Sequence, residues 1–130
     1  MIKLQKVSNR EYCLLEDYTV YVKNYKITVK EGFIFDGASL PRVTWSLIGC
    51  PFIGAYTIPA LIHDALYASE IVSRQEADSI FLALLEEYGV SYLKRYSMYW
   101  GVRAGGGLVW LKHTAETVNE SKKYITIETL

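Results

Sequence analysis

Two apolar segments joined by a short loop decide the fold of this chain. Residues 57–69 read TIPALIHDALYAS and residues 73–88 read SRQEADSIFLALLEEY. The first segment predicts a helix that Thr57 caps and that runs to about Ser69, with Pro59 tolerated in its first turn. Short connections between helices make antiparallel neighbours. The sequence therefore predicts a helical hairpin at the centre of the chain.

The second helix of this hairpin has the clearest local boundaries. Ser73 and Glu76 have the spacing of a capping box, in which a serine side chain and a glutamate three residues later satisfy the first free N–H groups. The pattern predicts a helix from this point to Tyr88, closed by Gly89.

The hairpin brings a polar cluster into an apolar setting. His63 and Asp64 are adjacent, and Tyr67 follows one turn later on the same helix. His63 lies eight positions before Ile71, near the middle of the loop, and Asp78 lies seven positions after it. Burying such ionisable groups costs several kcal/mol unless they pair with each other or bind an ion. We therefore expect His63 to face Asp78 and Asp64 to enter an adjoining pocket.

This set of groups is suited to hydrolysis. A carboxylate bonded to one imidazole nitrogen raises the basicity of the other, so His63 would be a base, Asp78 its orienting partner and Tyr67 a support. The other nitrogen could take a proton from water, and Asp64 could hold a divalent cation that stabilises an oxyanion. The same residues could equally form a satisfied polar network that fixes helix register.

The rest of the chain predicts an α+β protein. Alternating apolar residues over 11–35 predict a small antiparallel sheet, with a hairpin turn at Glu16-Asp17 and a second break at Asn24-Tyr25. Asp36-Gly37-Ala38-Ser39 is expected to form an Asx turn followed by a cap, with Ser39 opening a helix from about Leu40 to Ile48.

The predicted architecture is a small N-terminal antiparallel sheet followed by a three- to four-helix bundle. We expect a single domain over residues 1–130, with a sheet region at 11–35, a helical region at 39–117 and a tail at 118–130 that ends as an edge strand. Within the helical region, a helix from about Ser91 to Val102 is expected to be interrupted by three glycines and to resume from Leu108 to Thr117.

Composition excludes several classes of function. The chain has 130 residues, and 14 Lys and Arg balance 14 Asp and Glu, so no net field attracts nucleic acid. No uninterrupted apolar run reaches the ~18 residues of a membrane span. The N-terminus lacks a signal-peptide core, which favours synthesis in the cytoplasm. The two cysteines have no spacing that demands a disulfide, which favours free thiols.

Other groups of residues in the sequence have weaker functional signals than the His-Asp cluster. A metal phosphohydrolase of the His-Asp type needs further histidines upstream, whereas the only other histidine is His113. Cys50 precedes Pro51 with no oxyanion signature, which favours an inert thiol over a Cys50–His63 nucleophile pair. An aromatic stripe at helical spacing predicts either a half-buried core face or a docking surface for lipid or protein; it comprises Tyr92, Tyr96 and Tyr99, with Arg103, Trp100 and Trp110 nearby.

Several segments of the chain form a combination typical of one family; they are 32–42, Trp45, Tyr56, Ala60, 63–67, Ser73-Arg74, 76–81, 98–103 and Trp110. In these residues the chain resembles a family of phage and prophage proteins, domain of unknown function 1353. The resemblance implies a phage-derived origin, with synthesis in the host cytoplasm and a place in the virion as an option. It also keeps Asp36 as a second candidate metal ligand.

A more local resemblance is to phospholipase A2, which has a His-Asp-x-x-Tyr helix and a partnering Asp on an antiparallel helix. It implies His63 as the base, Asp64 as a calcium ligand, Tyr67 as the supporting phenol and Asp78 as the partner of the histidine. The glycine-rich calcium loop of that family has no counterpart in residues 49–54.

Together these observations predict a phage-encoded accessory protein with a cation-assisted hydrolase site acting on a lipid or another ester. The alternative is a non-enzymatic virion or tail-associated protein, in which the cluster is a core network and the partners are phage structural proteins. A third option is a small inhibitor of a host defence protein.

Overall fold

The structure, a computed structural model, describes residues 2–41 and 54–130. The strands are β1 Leu4–Lys6, β2 Tyr12–Leu14, β3 Tyr18–Val22, β4 Tyr25–Val29, β5 Ile34–Phe35 and β6 Ile125–Thr129. The helices are α1 Thr57–Ser69, α2 Arg74–Glu87, α3 Tyr92–Leu111 and α4 Ala115–Ser121, with short 3₁₀ turns at Gly54–Tyr56 and Lys122–Tyr124. The predicted α+β class is confirmed.

The strands form two separate antiparallel sheets. The first has the order β1-β2-β5 and the second has the order β3-β4-β6. The predicted hairpin at Glu16-Asp17 is therefore wrong, because β2 and β3 lie in different sheets. The Asp17 carboxylate instead accepts the backbone N–H of Glu31 at 2.9 Å, which ties the bend to the segment after β4. The second break is a true hairpin turn, with Lys23 in the left-handed region.

Of the strands at the sheet edges, the sequence did not predict β1 but did predict β6. β1 is a three-residue strand with no apolar alternation, and sequence patterning did not indicate it. The tail forms β6 as predicted, and Ile127 pairs with Ile27 at the edge of the second sheet. The tail therefore returns to the N-terminal part of the chain and closes the molecule.

Helix α1 runs through the centre of the molecule. Every residue of α1 except Ala68 is buried, and the helix contacts α2, α4 and strands from both sheets. A helix that is apolar on all sides is expected to be buried in this way. Its N-cap is Tyr56 rather than the predicted Thr57, and among residues 2–41 and 54–130 no side chain caps it.

Helix α2 packs against α1 as the second arm of the predicted hairpin. Ser73 accepts the N–H of Glu76 at 3.1 Å, so the predicted cap is present. The reciprocal half of the capping box is replaced, because the Glu76 carboxylate binds Lys23 of the β3–β4 turn at 2.6 Å. Gly89 has a φ of 80°, which suits the end of the helix after Tyr88.

Helix α3 is continuous through Gly105-Gly106-Gly107, so the predicted interruption there is wrong. A Cβ at Gly106 would collide with the hydroxyl and ring of Tyr67 on α1. The small residues are thus used for close helix packing. This contact offsets the roughly 1 kcal/mol that each glycine costs a helix.

Two expectations fall on residues that the structure does not describe. One is the predicted helix from Leu40 to Ile48, which lies almost wholly in 42–53, so the capping role assigned to Ser39 is not tested. The other is the free thiol of Cys50. Leu40 and Pro41 are described and are not helical. Of the helices in the described ranges, none combines the length and the apolar character needed to cross a bilayer.

Candidate functional site

The helical hairpin brings His63 and Asp78 into direct contact. Nε2 of His63 lies 2.7 Å from Oδ1 of Asp78, and both side chains are fully buried. The Tyr67 hydroxyl donates to the same carboxylate oxygen at 2.7 Å. Burial, with the neighbouring Asp78 charge, raises the pKa of Tyr67, so the phenol remains a donor. The contacts expected from sequence spacing are present, and the roles assigned to these residues remain predictions.

Two arginines complete the environment of Asp78. Nη1 of Arg103 on α3 donates to Oδ2 at 2.8 Å, and Nη1 of Arg74 lies 3.6 Å from the same oxygen. Burial alone would raise the pKa of Asp78. The hydrogen bonds that His63, Tyr67 and Arg103 donate to its carboxylate outweigh this effect and lower that pKa. Asp78 is therefore an ionised carboxylate whose two oxygens accept at least three hydrogen bonds.

This charge state determines the tautomer of His63. Burial lowers the pKa of His63 below its ordinary value, so the ring is neutral at pH 7. An ionised carboxylate can only accept, so Nε2 must carry the proton that faces Asp78. Nδ1 is then a bare acceptor, and Oγ of Ser39 lies 2.9 Å from it. The Ser39 hydroxyl must donate to His63, which gives a Ser39–His63–Asp78 chain of hydrogen bonds.

Sequence reasoning did not assign Ser39 to this cluster, nor the two arginines, Arg74 and Arg103, that lie beside Asp78. The position of Ser39 explains why. Its position comes from the Asx turn, which is confirmed: Oδ1 of Asp36 accepts the Ala38 N–H at 2.9 Å. Gly37 has a φ of 69°, which an L side chain rarely adopts, and its carbonyl accepts the Leu40 N–H at 3.0 Å. Ser39 lies within the segment that carries the family resemblance, but a serine after an Asx turn is explained by capping alone, so local sequence gives no signal for a catalytic role.

Asp64 binds the same turn. Its two oxygens accept the backbone N–H groups of Ser39 at 3.0 Å and Asp36 at 3.4 Å. Burial, together with the nearby Asp36 carboxylate, raises the pKa of Asp64 to about 8. Asp64 is therefore protonated at neutral pH and fixes the turn that presents Ser39 to His63.

A pocket opens beside this cluster. It has a volume of about 380 Å³, and Asp36, Ser39, Asp64 and Tyr67 line one side of it. The opposite side comprises residues from α3, α4 and the segment before β6, among them His113, Glu120 and Tyr124. Ser39 is only 1% exposed, yet of the three residues in the hydrogen-bonded chain it is the one that lines the pocket.

The two predicted metal ligands, Asp64 and Asp36, do share this pocket. Calcium takes six to eight oxygen ligands. Within the described ranges, no group of three or more His, Cys, Asp or Glu side chains could hold a metal ion. Two carboxylates could bind calcium only with additional backbone or water oxygens, and Asp64 would first have to lose its proton. The calcium site stays a prediction.

The predicted aromatic stripe divides between two environments. Tyr96 and Tyr99 are half-buried, whereas Tyr92 and Trp100 are exposed. Arg103 is not part of an aromatic surface, because its side chain binds Asp78. Trp110 packs edge-on against Tyr67 with ring centroids 5.1 Å apart, so it supports the site.

These features define a small α+β protein with a buried Ser-His-Asp chain at the edge of a pocket. The family model "Protein of unknown function (DUF1353)" matches residues 12–102, and the chain belongs to this family. The matched range contains Ser39, His63, Asp64, Tyr67, Asp78 and part of α3.

One curated relative is similar over most of the chain. The uncharacterized protein y4jT of Sinorhizobium fredii is 41% identical over 97 residues, which cover 73% of this chain and 28% of that protein. The chain thus matches little more than a quarter of its relative's length. No solved structure matches the chain significantly.

Proposed function

We propose that this protein is a hydrolase of an ester or a related acyl compound, with Ser39 as the nucleophile. The observation that carries the proposal is the 2.9 Å contact between the Ser39 hydroxyl and the bare Nδ1 of His63. A serine activated by a base that a third group orients is the recurrent arrangement of acyl-transfer enzymes. The phage-derived accessory role that the family resemblance implies remains part of the proposal.

The chemistry follows from the hydrogen-bond directions. Oγ of Ser39 would attack the acyl carbon while its proton passes to Nδ1 of His63, and Asp78 would stabilise the resulting imidazolium through Nε2. The imidazolium would then protonate the leaving alcohol, which leaves an acyl group on Ser39. Water, deprotonated by His63, would hydrolyse this intermediate and release the carboxylic acid.

This proposal changes the nucleophile that the sequence predicted. The sequence placed water directly on His63, but both ring nitrogens already have protein partners, Asp78 and Ser39. Water would therefore have to displace Ser39 to reach the imidazole. The catalytic assignment of His63, with Asp78 as its positioning residue, is otherwise unchanged, and Tyr67 is kept as a positioning residue that holds Asp78.

The test uses a fluorophosphonate, which forms a covalent adduct with activated serines. We expect one adduct, located on Ser39 by peptide mass spectrometry and absent from Ser39→Ala. Ser69 is also fully buried and donates to the Leu66 carbonyl, so Ser69→Ala is the matched control and should keep the adduct. An adduct that persists in Ser39→Ala, or no adduct in the folded wild type, would overturn the assignment.

A second candidate function rests on the burial of the cluster. His63 and Asp78 have no exposed surface, and a fully satisfied buried network can serve only to fix helix register. On this account the protein is a non-enzymatic virion or tail-associated protein. It predicts that Asp78→Asn lowers the free energy of unfolding by about 3 kcal/mol, as expected when a buried charge pair is broken. It also predicts that no serine reacts with the fluorophosphonate.

A further inference from the structure

The solvent-facing side of α3 carries a regular uncharged seam. Its members follow each other at intervals of 4, 3, 4, 3 and 4 residues along the helix, and they are Leu93, Ser97, Trp100, Ala104, Gly107 and Leu111. At 100° per residue they fall within an arc of about 80° and extend over about 27 Å. This is the spacing of a coiled-coil seam.

The large members of the seam are strongly exposed, and its one half-buried member is Gly107, which lies beside Arg74 of α2. Leu93 is 77% exposed, Trp100 is 65% exposed and Leu111 is 78% exposed. Its one polar member, Ser97, donates its hydroxyl to the carbonyl of Leu93 at 2.7 Å, so it presents mainly carbon to the outside. A surface helix normally puts charged residues on this side, which makes the seam anomalous.

The seam is complementary to itself when it is reversed. In an antiparallel pair, let the two-fold axis pass between the two helices at the height of Val102 along the helix. Leu93 then faces Leu111 of a second copy. In the same register, Trp100 faces Ala104 and Ser97 faces Gly107 of that copy. Each large residue thus meets either another leucine or a small residue that leaves room for it, which is the packing that antiparallel helices need.

The sizes of the seam residues distinguish the antiparallel pair from a parallel one. A parallel pair would set Trp100 against Trp100 at one level and Gly107 against Gly107 at another, and would leave the small residues without a large partner. Leu108 borders the seam and is 72% exposed, so covering it together with the exposed seam residues would bury on the order of 500 Å² per copy, somewhat below the ~800 Å² per partner of standard stable interfaces.

We propose that α3 is the interface of an antiparallel homodimer, with its seam packed against the seam of a second copy. The inference is independent of the proposed hydrolase activity, since the seam residues do not line the site pocket. Arg103, on another side of α3, binds Asp78, so the helix would connect the interface to the Ser-His-Asp chain.

The first test measures molar mass by light scattering on the full chain. We expect the mass of two chains for the wild type and of one chain for Trp100→Asp, with unchanged circular dichroism. Tyr21 on β3 is 60% exposed, so Tyr21→Asp is the matched control and should remain dimeric. A monomeric wild type, or a Trp100→Asp variant that keeps the mass of two chains, would overturn the proposal. The same is true of a monomer that binds anionic phosphatidylglycerol vesicles through Trp100.

The second test measures the register by cysteine crosslinking in a background that lacks Cys13 and Cys50. Leu93→Cys and Leu111→Cys should each fail to crosslink alone, whereas a mixture of the two variants should give a disulfide-linked dimer. A Leu93→Cys variant that crosslinks to itself would indicate a parallel pair and overturn the antiparallel arrangement.

Discussion

At the scale of single residues, protonation states organise the site. Asp78 is ionised because His63, Tyr67 and Arg103 outweigh the cost of its burial. Asp64, one residue from His63 in sequence, is in the opposite state because it is buried beside Asp36. Two aspartates of one cluster thus differ in charge because one faces donors and cations and the other faces a second carboxylate. The protonated Asp64 holds the turn, and the ionised Asp78 orients the imidazole.

The raised pKa of Asp64 makes stability depend on pH. The folded protein retains this proton up to a pH of about 8, while an unfolded Asp loses it near pH 4. The folded state therefore binds more protons across this window, and the contribution of Asp64 to stability declines as pH rises. The decline is on the order of 1 kcal/mol per pH unit.

Asp64→Asn replaces the protonated carboxyl with a neutral amide and should flatten this part of the profile. Urea unfolding at a series of pH values measures the effect. Glu128→Asn, at an exposed position on β6, is the control and should leave the slope unchanged. An Asp64→Asn profile as steep as that of the wild type would show that Asp64 does not hold a proton in the folded state.

At the scale of elements, close packing explains the largest difference between prediction and structure. Three consecutive glycines are typical of a helix break, yet α3 continues through them. Gly106 lies against Tyr67 of α1, and Gly105 lies against Pro41. The packing of α3 against α1 outweighs the low helix propensity of the three glycines, because this packing involves the buried Tyr67 phenol that supports Asp78.

Substitutions at two neighbouring glycines, Gly106 and Gly107, can test whether close packing explains the glycines of α3. Gly106→Ala would push a methyl group into Tyr67 and should lower the free energy of unfolding by about 1–3 kcal/mol. At Gly107, the one described atom near an added Cβ is Cζ of Arg74 at 4.0 Å, so Gly107→Ala should raise stability by about 0.5–1 kcal/mol through helix propensity. Urea midpoints in dilute protein measure both, and equal effects would contradict the packing explanation.

At the scale of the whole molecule, the pocket joins elements from both ends of the described chain. Its walls come from the segment before α1, from α1 itself and from α3, α4 and the approach to β6. A ligand held there would link these parts and stabilise the fold by mass action. A ligand that binds this pocket should therefore raise the melting temperature of the intact chain.

The predicted calcium site can be tested by this measurement. Calcium bound at Asp64 and Asp36 should raise the melting temperature, and the rise should disappear in Asp64→Asn but persist in Glu128→Asn. Because calcium must displace the proton of Asp64, the rise should be larger at about pH 9 than at neutral pH. No shift at either pH, for wild-type protein that remains folded, would end the calcium assignment.

The sequence by itself determined the α1–α2 hairpin and the meeting of His63 with Asp78. Both depend on signals that act within one or two helices: apolar periodicity, the Ser73 cap, and nearly equal distances from the loop. The same local signals indicated the Asx turn at Asp36 and the strand at the tail. These local signals can be recognised in the sequence without knowledge of the tertiary topology.

Only the tertiary structure decided which serine meets His63, how the strands divide into two sheets, and that α3 is continuous. Ser39 lies 24 positions before His63, and their contact depends on where the turn after β5 is placed against α1. The continuity of α3 depends on Tyr67, which is 39 positions from Gly106. Such contacts arise from packing between distant segments, whose free energies exceed local propensities but leave no periodic pattern in the sequence.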